Sequence, residues 1–147
     1  MTGSRKIIQL CALLWCVAML GACHRTPDEE RIRAAISSTA QAAEAGSASG
    51  VGEWLSEEFD GNAGELDRRR LIAMVGLLKL RGERIGVVLG PVSVEPRGER
   101  MVATFTVTLG SGGRLLPDQL GLYRVTSGWR KEDGHWRCYT ASWERSI

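Results

Sequence analysis

The sequence predicts a single α+β domain, and three observations carry this prediction. Apolar residues recur at helical spacing through the first half of the chain, the period changes to two from Ile85, and turn residues separate the later apolar runs. Helices followed by antiparallel strands are typical of the α+β class. The chain has 147 residues, 44% hydrophobic and 24% charged, which suits one globular domain and excludes a multidomain enzyme or a disordered charged tail.

Three helices are predicted before the strands begin. The first spans 28–45, because Thr26 suits the N-cap, Pro27 suits the first turn, and the acids that follow suit the positive end of the helix dipole. A short second helix is expected over 52–59, and a third over 66–79. The third helix is expected to bury four apolar residues, Leu71, Met74, Val75 and Leu78.

The strands follow from Ile85 onwards. The β-rich stretch 85–94 contains Pro91, which cannot donate to a sheet ladder and therefore predicts an edge position or a bulge. Residues 101–109 alternate as in a strand with one buried face. The remaining predicted elements are a loop at 110–117, strands at 120–131 and 135–144, and a hairpin turn at 132–134.

This order of elements, closed by the hairpin Asp133-Gly134-His135-Trp136-Arg137, resembles the nuclear transport factor 2-like superfamily from about Asp28 to Glu144. The resemblance implies a cone-shaped, cystatin-like α+β roll, in which helices cover the concave side of a strongly curved antiparallel sheet and often leave a cavity. It also implies that dimers through the outer face of the sheet are common. Members include ketosteroid isomerases, polyketide cyclases, dehydratases and non-catalytic binding domains, so the fold does not decide the function.

The N-terminus has the pattern of a secretory signal. Arg5-Lys6 precedes an apolar run, Ile7–Leu20, that is too short to span roughly 30 Å of hydrocarbon. The next residues, Leu20-Gly21-Ala22-Cys23, resemble a bacterial lipobox, which implies cleavage before Cys23 and acylation of that residue with chains such as palmitate. The alternative is a generic signal peptide that is cut near Ala22.

The expected lipoprotein has a cleaved signal at 1–22, a tether at 23–27 and the folded domain at 28–147. At about 3.5 Å per residue, the domain begins within about 15 Å of the anchor. His24 stands where an aspartate would favour inner-membrane retention, so by analogy we expect the periplasmic leaflet of the outer membrane; the inner membrane remains the alternative.

Processing also changes the charge and the thiol count. The chain has 19 Lys and Arg against 17 Asp and Glu, and the loss of Arg5 and Lys6 leaves 17 of each. A balanced domain is not expected to bind nucleic acid. Cys138 is then the one thiol that is neither removed nor acylated, so it is either buried in a strand or paired between chains.

Strand alternation predicts an aromatic pocket beneath the helices. Tyr123, Val125, Ser127 and Trp129 share one face of their strand, and Trp136, Cys138, Thr140 and Ser142 share one face of the next. Such a pocket suits an apolar or planar ligand. The alternative is that the aromatic residues only fill the core. The candidate ligand-binding residues are Trp54, Phe59, Phe105, Tyr123, Trp129 and Trp136.

The resemblance also implies isomerase-type catalysis as a candidate function. Such catalysis needs a carboxylate base and acid donors near a developing oxyanion. Asp60 is the candidate base, with Tyr123 or Tyr139 as donors, although Asp60 is more simply a turn residue before Gly61. His24 and His135 are the only histidines, so no metal site and no cofactor are predicted.

Two surface features leave alternatives open. The run Arg68-Arg69-Arg70 can contact anionic headgroups or form a solvated face balanced by Glu65 and Asp67. Alternating threonines, Thr104, Thr106 and Thr108, mark the outer face of the sheet, which is either solvated or a symmetric dimer interface; Tyr139 and Trp143, if exposed there, favour the interface.

The sequence therefore predicts a membrane-anchored, periplasm-facing lipoprotein that carries a non-catalytic ligand-binding or protein-interaction domain. An isomerase or dehydratase that uses a cavity carboxylate is the alternative. A third possibility is a homodimer that scaffolds another envelope protein. The expected partners are the membrane, through Cys23, and an apolar small molecule.

Overall fold

The computed structural model describes residues 27–111 and 121–146. The predicted signal segment, Cys23 and Thr26 lie outside the described residues, as does the predicted loop beyond Ser111. No helix within the described ranges is both long and apolar enough to cross a bilayer.

The first predicted helix is confirmed as α1, Pro27–Glu44. Its buried residues, Ile32, Ala35 and Ile36, recur at i, i+3 and i+4 and pack against the core. A left-handed glycine, Gly46, follows the helix with a φ of 65°. That conformation ends α1.

The predicted second helix over 52–59 is wrong in position. The observed helix, α2, is Ala48–Glu53, with Ser47 as its N-cap, and Leu55–Gly61 forms strand β1. The reason is tertiary: β1 supplies a parallel hydrogen-bonding partner for the last strand, and the carbonyl of Trp54 accepts from the backbone N–H of Cys138 at 2.8 Å. Pairing of this kind overrides local propensity.

The third helix is confirmed as α3, Arg68–Leu80, after a two-residue strand β2, Leu66–Asp67. The Asp67 carboxylate accepts from the backbone N–H of Arg70 at 2.8 Å and caps the helix. Of the four apolar residues expected to be buried, only Val75 is. Because α3 packs on α2 and the β1–β2 edge rather than across the sheet, Met74 remains 47% exposed.

Five further strands follow: β3 Ile85–Leu89, β4 Ser93–Arg97, β5 Arg100–Ser111, β6 Gly121–Glu132 and β7 His135–Arg145. They complete a seven-stranded sheet in the order β2-β1-β7-β6-β5-β3, with β4 also paired to β5. The predicted strand 85–94 is divided into two at residues 90–92, and both parts lie antiparallel to β5 at the sheet edge, as Pro91 indicated. The sheet is mixed rather than wholly antiparallel, because β1 runs parallel to β7.

The predicted hairpin between β6 and β7 is confirmed. Glu132 pairs with His135, and the two turn residues, Asp133 and Gly134, have φ values of 49° and 78°. Two successive left-handed residues make a type I′ turn, whose twist matches that of the flanking strands.

A β-bulge in β7 changes which side chains face the helices. Trp129 pairs with Cys138, whereas the preceding Gly128 pairs with Thr140, so Tyr139 is an extra residue. Beyond it the alternation is inverted: Ala141 takes the inner face and Thr140 the outer face. The predicted placement of Thr140 and Ser142 beneath the helices is therefore wrong.

The outer face of the sheet carries a register of small hydroxyl side chains. Thr104 pairs with Thr126, which pairs with Ser142. The core lies on the opposite face, beneath α1, α2 and α3. Its largest buried members are Ile32, Phe59, Met101, Trp129 and Trp136.

Candidate ligand-binding cavity

A cavity of about 430 Å³ lies between the helices and the concave face of the sheet. Helix α1 contributes Ile36, Thr39, Ala40 and Ala43 to its wall, and strands β3, β5, β6 and β7 contribute mostly branched and aromatic side chains. Five of the six predicted ligand-binding residues line it together: Trp54, Phe59, Phe105, Tyr123 and Trp129.

The sixth predicted residue, Trp136, lies outside this cavity. It is buried near the β6–β7 hairpin, where the Lys131 ammonium stands 5.2 Å from the centre of its ring. The same ammonium contacts the Asp28 carboxylate at 3.1 Å, so the first turn of α1 closes this end of the domain. Trp136 and Trp129 both face the helices, but in separate compartments.

Trp143 is the aromatic residue of the described lining that the sequence analysis did not assign to the pocket. Alternation without a bulge places it on the outer face, whereas the extra residue at Tyr139 turns it into the cavity wall. Its ring lies against Gly61, where a β-carbon would come within 2.7 Å of the indole Cη2. The backbone N–H of Trp143 donates to Asn62 Oδ1 at 2.9 Å, which ties β7 to the β1–β2 turn. No local sequence signal marks the bulge.

Three donors in the wall, the hydroxyls of Ser127 and Thr39 and the thiol of Cys138, are used inside the protein. Ser127 Oγ donates to the Ala103 carbonyl at 3.3 Å and accepts from the indole N–H of Trp129 at 2.9 Å. Thr39 Oγ donates to the carbonyl of Ala35 at 2.8 Å. Cys138 Sγ donates to the carbonyl of Thr140 at 3.3 Å. Because these donors are occupied and the rest of the lining is mostly apolar, a ligand would be bound mainly by burial of its apolar surface and less by hydrogen bonds.

Ionisable chemistry is sparse in the described wall. No Asp, Glu, His, Lys or Arg is among the described lining residues. Burial raises the pKa of the Cys138 thiol to about 12, an effect only partly opposed by its hydrogen bond to Thr140. A thiol that holds its proton so strongly is neutral at physiological pH and is a poor nucleophile. The described lone cysteine is buried in a strand, one of the two expected outcomes.

The candidate base, Asp60, lies outside the cavity. It is exposed near the end of β1, and its carboxylate accepts from the backbone N–H of Gly64 at 2.6 Å. Asn62, Ala63 and Gly64 have positive φ values, and this hydrogen bond closes the turn that they form. The geometry is that of a turn residue.

The two candidate tyrosine donors are separated by the sheet. Tyr123 lines the cavity, but no described carboxylate accompanies it there. Tyr139 lies on the other face, where the guanidinium groups of Arg100 and Arg130 approach its ring centre at 5.0 and 5.2 Å. The structure therefore does not bring Asp60, Tyr123 and Tyr139 to one site. In the described part of the chain, no three His, Cys, Asp or Glu side chains are grouped to hold a metal ion.

Solved structures share this architecture. An NTF2-like protein of unknown function from Pseudomonas putida KT2440 aligns with a TM-score of 0.68 at 20% identity, over 83% of this chain and 89% of that one. A protein with a cystatin-like fold from Caulobacter vibrioides aligns with a TM-score of 0.64 at 14% identity, over 80% and 89%. A hexachlorocyclohexane dehydrochlorinase from Novosphingobium barchaimii LL02 gives 0.66 at 11% identity, over 82% and 87%.

No family model and no curated protein matches the sequence. The structural alignments show that the chain has the nuclear transport factor 2-like fold, the α+β fold that the order of elements predicted. Proteins with this fold include the dehydrochlorinase named above. Because the identities are low, activity must be argued from the cavity itself.

Proposed function

We propose that this chain is a membrane-anchored, periplasm-facing lipoprotein whose domain binds an apolar small molecule without transforming it. The observation that carries the ligand-binding part is the composition of the cavity wall. About 430 Å³ of space is lined by aromatic and aliphatic side chains, and no acidic or basic side chain is among the described lining residues. Pockets of this size and polarity accommodate small organic molecules.

The absence of a described base in the wall favours binding over catalysis. Proton abstraction needs a base within hydrogen-bond reach of the substrate, or one water away. Asp60 is directed to the Gly64 backbone, and the Cys138 thiol keeps its proton. A bound apolar molecule would meet the Trp54, Phe105 and Trp129 side chains instead.

The anchoring part of the proposal rests on the sequence. The lipobox-like Leu20-Gly21-Ala22-Cys23 follows a basic start and an apolar run of the right length. We place the anchor in the periplasmic leaflet of the outer membrane because His24 follows the cysteine. Replacing Cys23 with Ser should abolish labelling by a palmitate analogue. Labelling that persists in the Cys23→Ser variant contradicts the anchor assignment.

Native mass spectrometry of the Cys23→Ser protein, purified from its own host, tests the ligand directly. A retained, dissociable small molecule of apolar character supports the proposal and gives its chemical class. For the empty protein, the neutral dye N-phenylnaphthylamine serves as the probe. We expect its fluorescence to rise on binding.

A matched pair of substitutions in α1 locates the binding. Ala40 lines the cavity, so Ala40→Phe should fill part of it and weaken dye binding by at least about tenfold. Ala34 is exposed on the same helix, so Ala34→Phe should leave binding unchanged. Equal affinity in the two folded variants, or no dye binding to the unsubstituted protein, would contradict the cavity assignment.

A further inference from the structure

Helix α3 exposes an apolar patch bordered by cations. Met74, Leu77 and Leu80 are 47%, 46% and 86% exposed, and their i+3 spacing places them along one side of the helix. Arg70 is four residues before Met74, and Arg81 is four residues after Leu77, so both stand on the same side. We call these five residues the α3 patch.

The charge around the patch is one-sided. From Glu65 to Arg84 the chain carries six basic and three acidic residues, although positions 23–147 hold equal numbers of each sign, and one of the three acids, Asp67, caps α3. Arg68 is engaged inward, with its guanidinium 3.3 Å from the Glu57 carboxylate and donating to the Gly52 carbonyl. Arg69, Arg70 and Arg81 are exposed. The α3 patch therefore offers apolar side chains together with positive charge.

This combination fits an anionic lipid surface better than a second copy of the chain. A symmetric contact would place the same patch on both sides, so the arginines that border one copy would approach those that border the other. Like charges that face each other in a contact are destabilising. Lipid phosphates instead complement the arginines, while leucine and methionine side chains enter the boundary between headgroups and acyl chains.

We propose that the α3 patch docks on anionic phospholipid, independently of any acyl chain on Cys23. The patch is continuous with the cavity, because Met74 is both part of the patch and part of the cavity wall. Docking would therefore bring the cavity wall to the lipid surface, the natural source of apolar molecules. The docking itself does not depend on what fills the cavity. A failure of dye binding would therefore contradict the proposed ligand and not the proposed docking.

Vesicle sedimentation tests the docking. A chain that begins at His24 lacks Cys23 but retains every described helix and strand, and cooperative urea unfolding verifies its fold. It should sediment with vesicles of equal parts phosphatidylethanolamine and phosphatidylglycerol and not with phosphatidylcholine vesicles. Added salt should weaken the association, because it screens exposed charges.

Three variants of the patch and one control distinguish docking through the patch from nonspecific adsorption to vesicles. Leu77→Ser with Leu80→Ser should weaken partitioning by at least about tenfold. Arg70→Gln and Arg81→Gln should each weaken it about fivefold. Val88→Ser is the control, because Val88 is 67% exposed but lies on β3; it should not change partitioning.

Two results would overturn the proposal. One is that the unsubstituted chain does not bind anionic vesicles, or that the variant with Leu77→Ser and Leu80→Ser binds them with the same affinity. The other is a dimer in sedimentation equilibrium that the leucine substitutions dissociate, which would assign the patch to a second copy.

Discussion

The indole N–H of Trp129 donates to Ser127 Oγ over 2.9 Å inside the core, and the Ser127 hydroxyl donates in turn to the Ala103 carbonyl. Both side chains line the cavity and are nearly inaccessible to solvent. One hydroxyl thus satisfies a buried donor and joins β5 to β6.

Replacing Ser127 with Ala should destabilise the domain by about 1–3 kcal/mol, because the buried Trp129 N–H loses its acceptor. Urea unfolding followed by tryptophan fluorescence measures the change. Ser142→Ala is the control, because Ser142 is exposed on the outer face of the same sheet; a change within about 0.5 kcal/mol is expected there. Equal losses in the two variants would contradict this role for Ser127.

Gly61 should tolerate no side chain. A β-carbon there would come within 2.7 Å of the Trp143 ring and 3.0 Å of the Leu66 carbonyl. Gly61→Ala should therefore cost about 1–3 kcal/mol and shift the Trp143 indole. Gly86→Ala is the matched control in β3, where the nearest atom would be 3.8 Å away. A free energy of unfolding that is the same in both variants would argue against this contact.

Cys138 should make the stability of the domain fall at high pH. Burial raises the pKa of its thiol from 9.0 to about 12, so the folded state holds the proton more tightly than the unfolded chain. The stabilisation is complete below pH 9 and is lost as the pH rises toward 12, by up to about 1.4 kcal/mol per pH unit.

The comparison with Cys138→Ala isolates this thiol from tyrosines and lysines that titrate in the same range. The free energies of unfolding of the two proteins should converge or cross as the pH rises above 9. Parallel curves would be inconsistent with a raised thiol pKa. A maleimide reagent should also modify Cys138 far more slowly in the folded protein than in urea.

Asp60→Ala should affect stability and leave ligand binding intact. The substitution removes the acceptor for the Gly64 N–H at an exposed turn, and we expect a cost of about 1 kcal/mol. Affinity for N-phenylnaphthylamine should not change, since Asp60 lies outside the cavity wall. A large loss of dye affinity in a folded Asp60→Ala variant would show that the carboxylate takes part in ligand binding.

Periodicity and turn chemistry predicted most of the fold. The first-turn proline and acids of α1, the alternation over 101–109 and the Asp133-Gly134 turn are local signals, and the elements they predict are present. The assignment of 52–59 failed because β1 is specified by its pairing with β7, which is distant in sequence. Val75 alone of the predicted α3 core residues is buried, because periodicity cannot say which neighbour covers an apolar face.

The cavity was predictable to the extent that alternation is regular. Phe105, Tyr123 and Trp129 lie on strands whose alternation is unbroken at those positions, and all three line it. Trp143 could not be assigned, because a single extra residue at Tyr139 inverts every later side chain of β7. Trp136 was assigned to the correct face of the sheet. Its position near the start of β7, however, places it beside Lys131 and Asp28 and outside the cavity.

Helix α1 also fixes how far apart two attachment points would be. At its start, Asp28 contacts Lys131 of the hairpin, and just beyond its end Gly46 packs against Lys79 of α3. Its 18 residues span about 27 Å. A lipid near the first end and the α3 patch near the second would remove the free rotation that a single tether allows. The long axis of α1 would then lie along the membrane surface, and the same side of the domain would always face the periplasm.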